Sequence, residues 1–466
     1  MRPLITSFFC IVFYLQVGAQ IPYAIIDQIT VEGNSKTKTS VVLRELLVQQ
    51  GDTIQLAELA DALEKSEMLL MNTTLFSSVN IGYQNWAAEN NRIHLKVQVN
   101  ETWYIYPIPS FRLADRNFNV WWVEHNASLA RTNIGMDFTH LNTTGRGDRL
   151  KLSFQLGYTQ NYRLRYNTRA LNKKQTLGLT ARVAYAQNRE VNYATVENRQ
   201  VFFNNNEEIL YHRFQGDLSF NLRPKIWENH ELRLGFRQNR VSEQITKALN
   251  PDFFLGGRNF QRYAILEYVY SKDRRDVRAY PIRGFYTSFA VEKDGLGFFN
   301  DRNALTTQFE YHFYQPLLPK VYFGAISKFK YSLIREQQPY NDNRAIGFSG
   351  NSLRGYEYYI IDGLDMVLLN THFKIPIFSS KIQLGKMMPI KAFRRIPIRA
   401  NLSLNNDFGV VNNPFEKAVN PFNNRLLWGT GLGLDTIFFF DFVLRIEYSR
   451  NHLGETGVFI HFNSSI

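Results

Sequence analysis

The sequence predicts a small α+β domain, in the order βααββ, followed by a long all-β region that forms an antiparallel transmembrane β-barrel. Three observations support this fold class. Helix-period apolar patterns are concentrated in the first hundred or so residues. Beyond them, about sixteen strand-like runs are separated by turn-rich segments, and the clearest of them alternate between apolar and polar residues. Aromatic residues make up 15% of the chain, with 37 Phe and 25 Tyr, which is typical of outer-membrane barrels.

The N-terminal segment MRPLITSFFCIVFYLQVGAQ predicts a secretory signal peptide at residues 1–19. A basic residue is followed by an apolar run from Leu4 to Val17 and by small residues up to Ala19. This run is shorter than the roughly 18 residues expected of a membrane-spanning helix. Cys10 is the one cysteine of the chain, so cleavage would leave a mature protein without disulfides.

The formal net charge of +13 does not by itself indicate a nucleic-acid partner. The Lys and Arg residues are scattered through alternating runs and turns and do not form one basic segment. Export also argues against nucleic acid. Basic loops that face anionic lipid head groups are a sufficient explanation of the charge.

The α+β domain begins with a strand, AIIDQITVEGN, that ends at a turn formed by Gly33 and Asn34. KTKTSVVLRELLVQQGD then has apolar residues at helical spacing and stops at Gly51. A second amphipathic helix follows in TIQLAELADALEKSEMLLMNTTLF. Its predicted apolar face contains Leu56, Leu59, Ala60, Leu63, Met68 and Leu69. Two strands, FSSVNIGYQ and NRIHLKVQVNE, complete a domain of about 76 residues, a size that can fold alone.

Residues 20–101 resemble a POTRA domain, the periplasmic module of the outer-membrane assembly superfamily of BamA-, TamA- and Sam-like proteins. The matching features are the turn at Gly33 and Asn34, Thr37 or Thr39 at the helix start, Arg44-Glu45-Leu46 before Gly51-Asp52, and Leu75-Phe76 ahead of Val79. The resemblance implies a single-POTRA member of that superfamily.

The alternating runs at 102–466 are compatible with a membrane barrel, but a soluble β-sandwich or propeller would show the same period. In RLKLSFQLGY, the residues expected on one face are Leu150, Leu152, Phe154, Leu156 and Tyr158. LTTQFEYHFY and FVLRIEYS repeat the pattern. The resemblance decides between these folds, because in that superfamily a POTRA module precedes a sixteen-stranded barrel. RTNIGMDFTHLNTTGRGDRLKLSFQLGY, KDRRDVRAYPIRGFYTSF and the closing GTGLGLDTIFFFDFVLRIEYSR extend the match along the chain.

GNSLRGYEYY lies in a long connection between the eleventh and twelfth predicted strands, where the superfamily carries a loop that inserts into the lumen. We expect this loop at about 335–363. The resemblance implies a functional motif at Leu353, Arg354, Gly355 and Tyr356. It also implies that Arg354 pairs with Asp407 of NNDFGVV, since a buried Arg needs a carboxylate. A second wall position that is usually acidic holds His372, which leaves Asp365 or Glu357 as further candidate partners.

The resemblance implies an assembly factor that inserts proteins into the outer membrane of a two-membrane bacterium, with its POTRA domain in the periplasm. Expected partners are unfolded outer-membrane or secreted client proteins, outer-membrane lipids and accessory lipoproteins. Clients would be captured at the POTRA edge strand and at a seam between the first and last barrel strands, where Ile105 and Phe459 lie. No catalytic pattern, metal-ligand spacing or cofactor motif is present in the sequence, so we expect no enzymatic activity and no cofactor.

Three alternatives stay open at the level of the sequence. The first is a secretion pore for one cognate protein, as in two-partner secretion, although such pores usually carry two POTRA modules and a plug helix. The second is a passive porin or receptor, for which a POTRA domain would be superfluous. The third is a barrel enzyme that uses Ser and His on its outer face. A single POTRA module favours a specialised or accessory insertase.

Overall fold

The computed structural model describes residues 23–87, 91–168, 171–172, 176–205, 208–299, 301–348, 350–383, 395–416, 419–438 and 442–463. The predicted signal peptide lies outside the described residues. The chain divides after Thr102 into two units, which are described separately below. No helix in the described ranges is both long enough and apolar enough to cross a membrane.

The first unit is a four-stranded sheet with two helices. Its elements are β1 (Tyr23–Glu32), α1 (Thr39–Arg44), β2 (Thr53–Gln55), α2 (Leu56–Met71), β3 (Phe76–Ala87) and β4 (Arg92–Glu101). The strand order is β2-β1-β4-β3, with β1 parallel to β4 and the other neighbours antiparallel. This architecture confirms the predicted α+β domain and adds the three-residue strand β2.

The core of this unit lies between α2 and the sheet. Strand β4 alternates strictly, so that Ile93, Leu95, Val97 and Val99 are all buried. The residues that α2 buries are Leu59, Leu63, Ser66 and Leu70, a spacing of four, three and four that marks one helix face. The predicted face was therefore wrong at Ala60, which is exposed, and at Met68, which is 47% exposed.

The second unit is built on one sixteen-stranded antiparallel sheet, which confirms the predicted barrel fold. Its strands are β5 (Ile105–Leu113), β6 (Thr132–Leu141), β7 (Arg149–Gly157), β8 (Thr159–Thr168), β9 (Leu177–Asn188), β12 (Tyr211–Lys225), β13 (Glu228–Val241), β14 (Phe260–Asp273), β15 (Gly284–Asp294), β16 (Ala304–Leu318), β17 (Val321–Ser332), β20 (Asp365–Gln383), β21 (Arg395–Asn412), β22 (Leu426–Ile437), β23 (Val443–Asn451) and β24 (Thr456–Asn463).

Shorter elements lie in the connections of this sheet. They are helix α3 (Phe118–Val123), the hairpin β10 (Glu190–Val196) and β11 (Arg199–Asn204), the pair β18 (Arg344–Ile346) and β19 (Ile361–Asp362), 3-10 turns at Leu129–Arg131 and Tyr340–Asp342, and a π-helical turn at Ile245–Leu249. Helix α3 lies in the connection between β5 and β6, and the β18–β19 pair lies in the connection between β17 and β20. These two connections hold most of the candidate functional residues.

The two faces of the wall differ in polarity, as strand β21 illustrates. Leu402, Leu404 and Phe408 are 42–50% exposed and form the outer, lipid-facing side. Ser403, Asn405 and Asp407 alternate with them and are at most 2% exposed. Alternation along a pleated strand places these polar residues on the inner face, where other parts of the chain cover them.

The sheet has two ends. Its pairing order runs from β24 through β23 and the remaining strands to β5, and no strand pairing joins β24 to β5 within the described ranges. Within the described ranges the first and last strands are therefore the two edges of the sheet, and each of them is hydrogen-bonded to one neighbouring strand.

Candidate functional site

The connection between β17 and β20 packs against the inner face of the wall. Leu353, Tyr356 and Ile361 are at most 2% exposed and belong to one apolar cluster with wall residues of β20, β21 and β22. Two lysines of β17 bind the backbone of the connection: Lys328 Nζ lies 3.0 Å from the Gly350 carbonyl oxygen and Lys330 Nζ lies 2.9 Å from that of Arg344. The connection is thus fixed by both apolar and polar contacts.

Arg354 is the centre of a buried ion-pair cluster that joins the connection to two wall strands. Its Nη1 lies 2.5 Å from Asp407 Oδ1 on β21, and its Nε lies 2.9 Å from Glu447 Oε1 on β23. The backbone N–H of Arg354 also donates to Asp407 Oδ2, at 3.1 Å. The two carboxylate side chains are at most 1% exposed, so water contributes little to their stabilisation.

Neighbouring polar groups stabilise the second carboxylate of this cluster. The Asn405 side chain donates to Glu447 Oε2 at 2.8 Å, and the Ser449 hydroxyl donates to Glu447 Oε1 at 2.7 Å. Burial by itself lowers the pKa of Arg354, but the carboxylates of Asp407 and Glu447 outweigh that effect and raise the pKa above its ordinary value. The guanidinium therefore stays charged, and the cluster orients the connection without offering a proton for chemistry.

Gly355 allows the backbone of the connection to approach the wall. Its φ of +77° lies in the left-handed region, and a Cβ at this position would lie 2.8 Å from the Asn451 backbone nitrogen. On the wall side, a Cβ at Gly429 would collide with the Arg354 carbonyl oxygen. The Asn451 side chain donates to the Gly355 carbonyl at 2.9 Å. The two glycines together make room for this contact.

Tyr356 anchors the other side of the motif in an aromatic cluster. Its ring stacks on His452, with centroids 5.9 Å apart, and meets Phe422 edge-on at 5.6 Å. The Tyr356 hydroxyl also hydrogen-bonds to His452 Nδ1. The four predicted motif residues, 353–356, thus all contact the wall or the loops next to it.

The remaining candidates around Arg354 lie elsewhere. Asp365 pairs with Arg335 at 2.6 Å, and Glu357 lies 3.5 Å from the ring of His461 on β24. His372 is buried on β20, where its ring packs against Tyr314 with centroids 6.0 Å apart. In this structure the second carboxylate next to Arg354 comes from β23.

Glu447 was not singled out from the sequence as a partner of Arg354. It appeared only as a polar residue in the alternating pattern FVLRIEYS. That pattern contained a usable signal, because alternation places Glu447 on the inner face, and an acidic residue on the inner face of a late strand is a candidate partner for an inserted Arg.

The tip of the β10–β11 hairpin also contacts the connection. Asn198 is fully buried, and its side-chain amide donates to the Ile360 carbonyl at 3.1 Å while its oxygen accepts from the Phe422 N–H at 2.9 Å. Beside it, Asp362 accepts a hydrogen bond from the Thr195 hydroxyl at 2.6 Å. Burial raises the pKa of Asp362 to about 6, although that hydrogen bond opposes the shift.

The two predicted seam residues lie on the two end strands of the sheet and have different environments. Phe459 of β24 is 3% exposed and packs against Tyr358 of the connection, with centroids 5.6 Å apart. Ile105 of β5 is 49% exposed and is paired in register with His140. The connection therefore reaches the last strand from the inside.

The predicted turn of the first unit has a defined geometry. Gly33 has a φ of +87°, and a Cβ there would collide with the Val99 carbonyl oxygen. The Asn34 side chain donates to the Thr37 carbonyl at 2.8 Å and to the Thr39 hydroxyl at 3.2 Å. Thr39 is the first residue of α1. The turn thus links β1 to the helix and packs against β4.

Strand β3 forms an edge of the sheet in the first unit. The Ile81 N–H donates to the Glu67 carboxylate of α2 at 2.6 Å, so this N–H points away from β4. Because N–H groups alternate in direction along a strand, that of Val79 points to the same free edge. The N–H groups of Val79 and Ile81 therefore lie on this edge, and Glu67 covers the second of them.

Comparisons with known proteins match both units. Residues 142–437 match the Omp85 superfamily domain, and residues 24–102 match the POTRA family described as a surface antigen variable number repeat. No curated protein matches the chain at a significant level.

Two solved structures share the fold at low sequence identity. The first is BamA from Haemophilus ducreyi lacking POTRA domains 1–3, with 14% identity and a TM-score of 0.54; the match covers 94% of this chain and 83% of that one. The second is CdiB from Acinetobacter baumannii, with 13% identity and a TM-score of 0.50; it covers 95% of this chain and 73% of that one.

Proposed function

This chain belongs to the Omp85 superfamily, and from that premise we propose that it inserts other proteins into the outer membrane by pairing with their unfolded strands. The observation that carries this proposal is the sixteen-stranded sheet, whose two end strands have no strand partner on their outer side among the described residues. A backbone N–H or C=O group in lipid must be hydrogen-bonded, so a client strand that enters the membrane needs such an edge.

The edge strand of the first unit would make the earlier contact with the client. The outer side of β3 offers the backbone N–H of Val79, next to the point where Glu67 covers Ile81, which suits addition of an extended segment. Strand addition depends on the backbone more than on particular side chains, so one edge can serve clients of different sequence. The first unit would therefore act in the periplasm, before the client reaches the barrel.

The buried cluster around Arg354 would keep the last strands in place while the seam opens. Arg354 binds β21 and β23, and Tyr358 of the same connection packs on Phe459 of β24. A wall held from the inside can lose contacts at its seam without losing its shape. The mechanism uses burial and backbone pairing of the client and involves no nucleotide, metal or cofactor.

The proposed location is the outer membrane of a two-membrane bacterium, with the first unit in the periplasm. The proposed partners are unfolded outer-membrane or secreted proteins, the lipids around the barrel and accessory lipoproteins. The net charge of +13 supports contact with anionic lipid head groups.

A second candidate function is a secretion pore that exports one cognate protein. The observation that favours it is the connection packed inside the wall, since a pore needs a plug that leaves when the exported chain arrives. The two candidate functions differ in which proteins need this chain to reach their location. An insertase would serve many outer-membrane barrels, whereas a secretion pore would serve one exported protein.

Controlled depletion followed by quantitative proteomics of the outer membrane and the culture medium tests the proposal. We expect several unrelated barrels to decrease in the membrane while periplasmic and inner-membrane proteins stay constant. Complementation with the wild-type gene should restore them. Loss of a single protein from the medium or the cell surface, with barrels unchanged, would overturn the insertase proposal and favour the secretion pore.

A further inference from the structure

Helix α3 occupies the outer edge of the last strand. The Ile460 N–H donates to Asn119 Oδ1 at 2.8 Å, and the Asn119 amide donates to the Ile460 carbonyl at 3.2 Å. Asn119 is 4% exposed. One side chain thus satisfies both backbone groups of a strand residue.

These two groups are the ones that a further strand would use. The Asn451 N–H donates to the Glu455 carbonyl at 3.0 Å. In the register of the two strands, the backbone N–H and C=O groups of odd-numbered β24 residues therefore point toward β23. Even-numbered residues therefore point their backbone groups to the outer edge. The amide of Asn119 has the same donor and acceptor groups as a peptide bond, so it takes the place of a strand at Ile460.

Other contacts hold α3 against the connection and against β24. Asn117 caps its start by accepting from the Val120 N–H at 2.9 Å, and donates to the Glu357 carbonyl of the connection at 2.8 Å. Phe118 meets Phe462 of β24 edge-on at 5.7 Å. The helix has six residues, which is too short to persist without tertiary contacts.

The edge of the first strand is chemically different. The Leu141 N–H donates to the Tyr104 carbonyl, and the Ala114 N–H donates to the Arg131 carbonyl. In the register of the two strands, the backbone N–H and C=O groups of even-numbered β5 residues therefore point toward β6. The outward positions are odd-numbered and include Pro107 and Pro109. Proline has no N–H, so this edge lacks two successive donors.

We propose that the outer edge of β24, and not that of β5, accepts the client strand, and that Asn119 on α3 covers this edge until the client displaces it. The inference rests on the proposed insertase function and specifies its docking site. It assigns to Pro107 and Pro109 the role of disfavouring both pairing of β5 with the client and closure of β5 onto β24.

The side chains of β24 indicate which kind of strand fits. Val458 and Phe462 are 63% and 54% exposed on the lipid side, whereas Phe459 is buried on the inner side. A strand that extends this sheet must place apolar side chains on the lipid face at every second residue. The occupant is therefore a transmembrane strand of an outer-membrane protein.

Site-specific photo-crosslinking in the full-length protein tests this proposal. A photoreactive residue replaces Val458 on β24 or Phe111 on β5, and an unfolded eight-stranded outer-membrane barrel is the probe, delivered to proteoliposomes. We expect adducts mainly from position 458. Asn119→Ala should raise the yield about fivefold, because two hydrogen bonds that compete with the client are lost. Pro107→Ala combined with Pro109→Ala should raise the yield at position 111.

Asn119→Asp provides a milder variant, since it keeps the acceptor for the Ile460 N–H and loses the donor, and it should give an intermediate yield. It also serves if Asn119→Ala does not fold, as judged by heat-modifiable gel mobility. Adducts mainly from position 111, or a yield at 458 that neither Asn119 variant changes, would overturn the inference and leave the insertase function standing. Efficient insertion of the probe without adducts at either position would overturn the inference alone, whereas insertion no faster than into liposomes without the protein would overturn both.

Discussion

At the scale of single residues, the ion pairs of Arg354 should dominate the stability of the connection. Removal of one partner of a buried charge pair costs about 3–5 kcal/mol, because the remaining charge is left uncompensated. We therefore expect Arg354→Ala, Asp407→Ala and Glu447→Ala each to lower the temperature of the gel-mobility shift and to impair insertion of clients.

Arg335→Ala is the matched control for this prediction. Arg335 pairs with Asp365 at 2.6 Å, but its side chain is 40% exposed, so water can replace the lost contact. Its effect should be much smaller. Equal shifts for Arg335→Ala and Arg354→Ala would contradict the special role of the buried cluster.

Gly355 allows a second prediction that separates backbone strain from close contact. Gly355→Ala should destabilise the connection by clearly more than Gly350→Ala. Both glycines have positive φ, at +77° and +83°, which costs a non-glycine residue about 1–2 kcal/mol. A Cβ at Gly355 would also press on Asn451, whereas at Gly350 the nearest atom is the end of Lys328, 3.9 Å away. Limited proteolysis of the connection would measure the difference, and equal cleavage of both variants would contradict it.

Asp362 gives the connection a pH dependence. Its pKa of about 6 in the folded state lies above the ordinary value, so the native state favours the protonated carboxyl. Destabilisation by the buried charge is therefore present above pH 6 and is relieved as the pH falls from about 6 toward 4. Lowering the pH from 7.5 to 5 should raise the mobility-shift temperature of the wild type relative to that of Asp362→Asn. A constant difference between the two proteins across this range would contradict the prediction.

At the scale of elements, strand β3 of the first unit should be the capture edge. Val79→Pro removes an N–H that points away from β4, so it should leave the sheet intact and weaken crosslinking of clients to the first unit several-fold. Asn80→Pro is the contrasting variant, because it removes a donor that faces β4 and should unfold the unit. Circular dichroism distinguishes the two effects, and undiminished client crosslinking in Val79→Pro would exclude this edge.

The strands of the wall were easier to predict from the sequence than the short helices. Strict alternation predicted the wall strands well, because one face must meet lipid and the other face must not. Helix α1 is shorter than its apolar spacing suggested and ends at Arg44; beyond it the Leu47 N–H donates to the Ser66 hydroxyl of α2, and Leu46 and Val48 are buried outside a helix. Helix α3 was not predicted, because FNVWWV has no helical period of useful length and is stabilised by Asn117 and by β24.

Of the two carboxylates that pair with Arg354, one was named from the sequence and the other was not. Asp407 was named from the resemblance to the superfamily, and the structure places it beside Arg354. Glu447 could not be selected from the sequence in the same way. Strand periodicity predicts on which face of the sheet a residue lies, but not its height, that is, its position along the barrel axis relative to a loop. That height depends on the stagger of all the intervening strands.

At the scale of the whole molecule, the docked connection should restrict passage through the barrel. The connection is fixed to β17, β20, β21 and β23, and it also contacts the β10–β11 hairpin. We expect low conductance of the wild type in planar lipid bilayers and a large increase when residues 351–358 are replaced by a short Gly-Ser linker. Wild-type conductance as high as that of the linker variant would favour a passive porin.

The contact between Arg354 and Glu447 also has a consequence for how this protein itself is made. The two residues are 93 positions apart, and Glu447 lies in the second-last strand. The connection is synthesised long before Glu447, the second carboxylate that binds Arg354. The ion pair can therefore form only when almost the whole chain has reached the membrane. A truncated chain would keep an unlocked connection and stay open to proteases. We therefore expect the buried pair to distinguish finished molecules from unfinished ones during biogenesis.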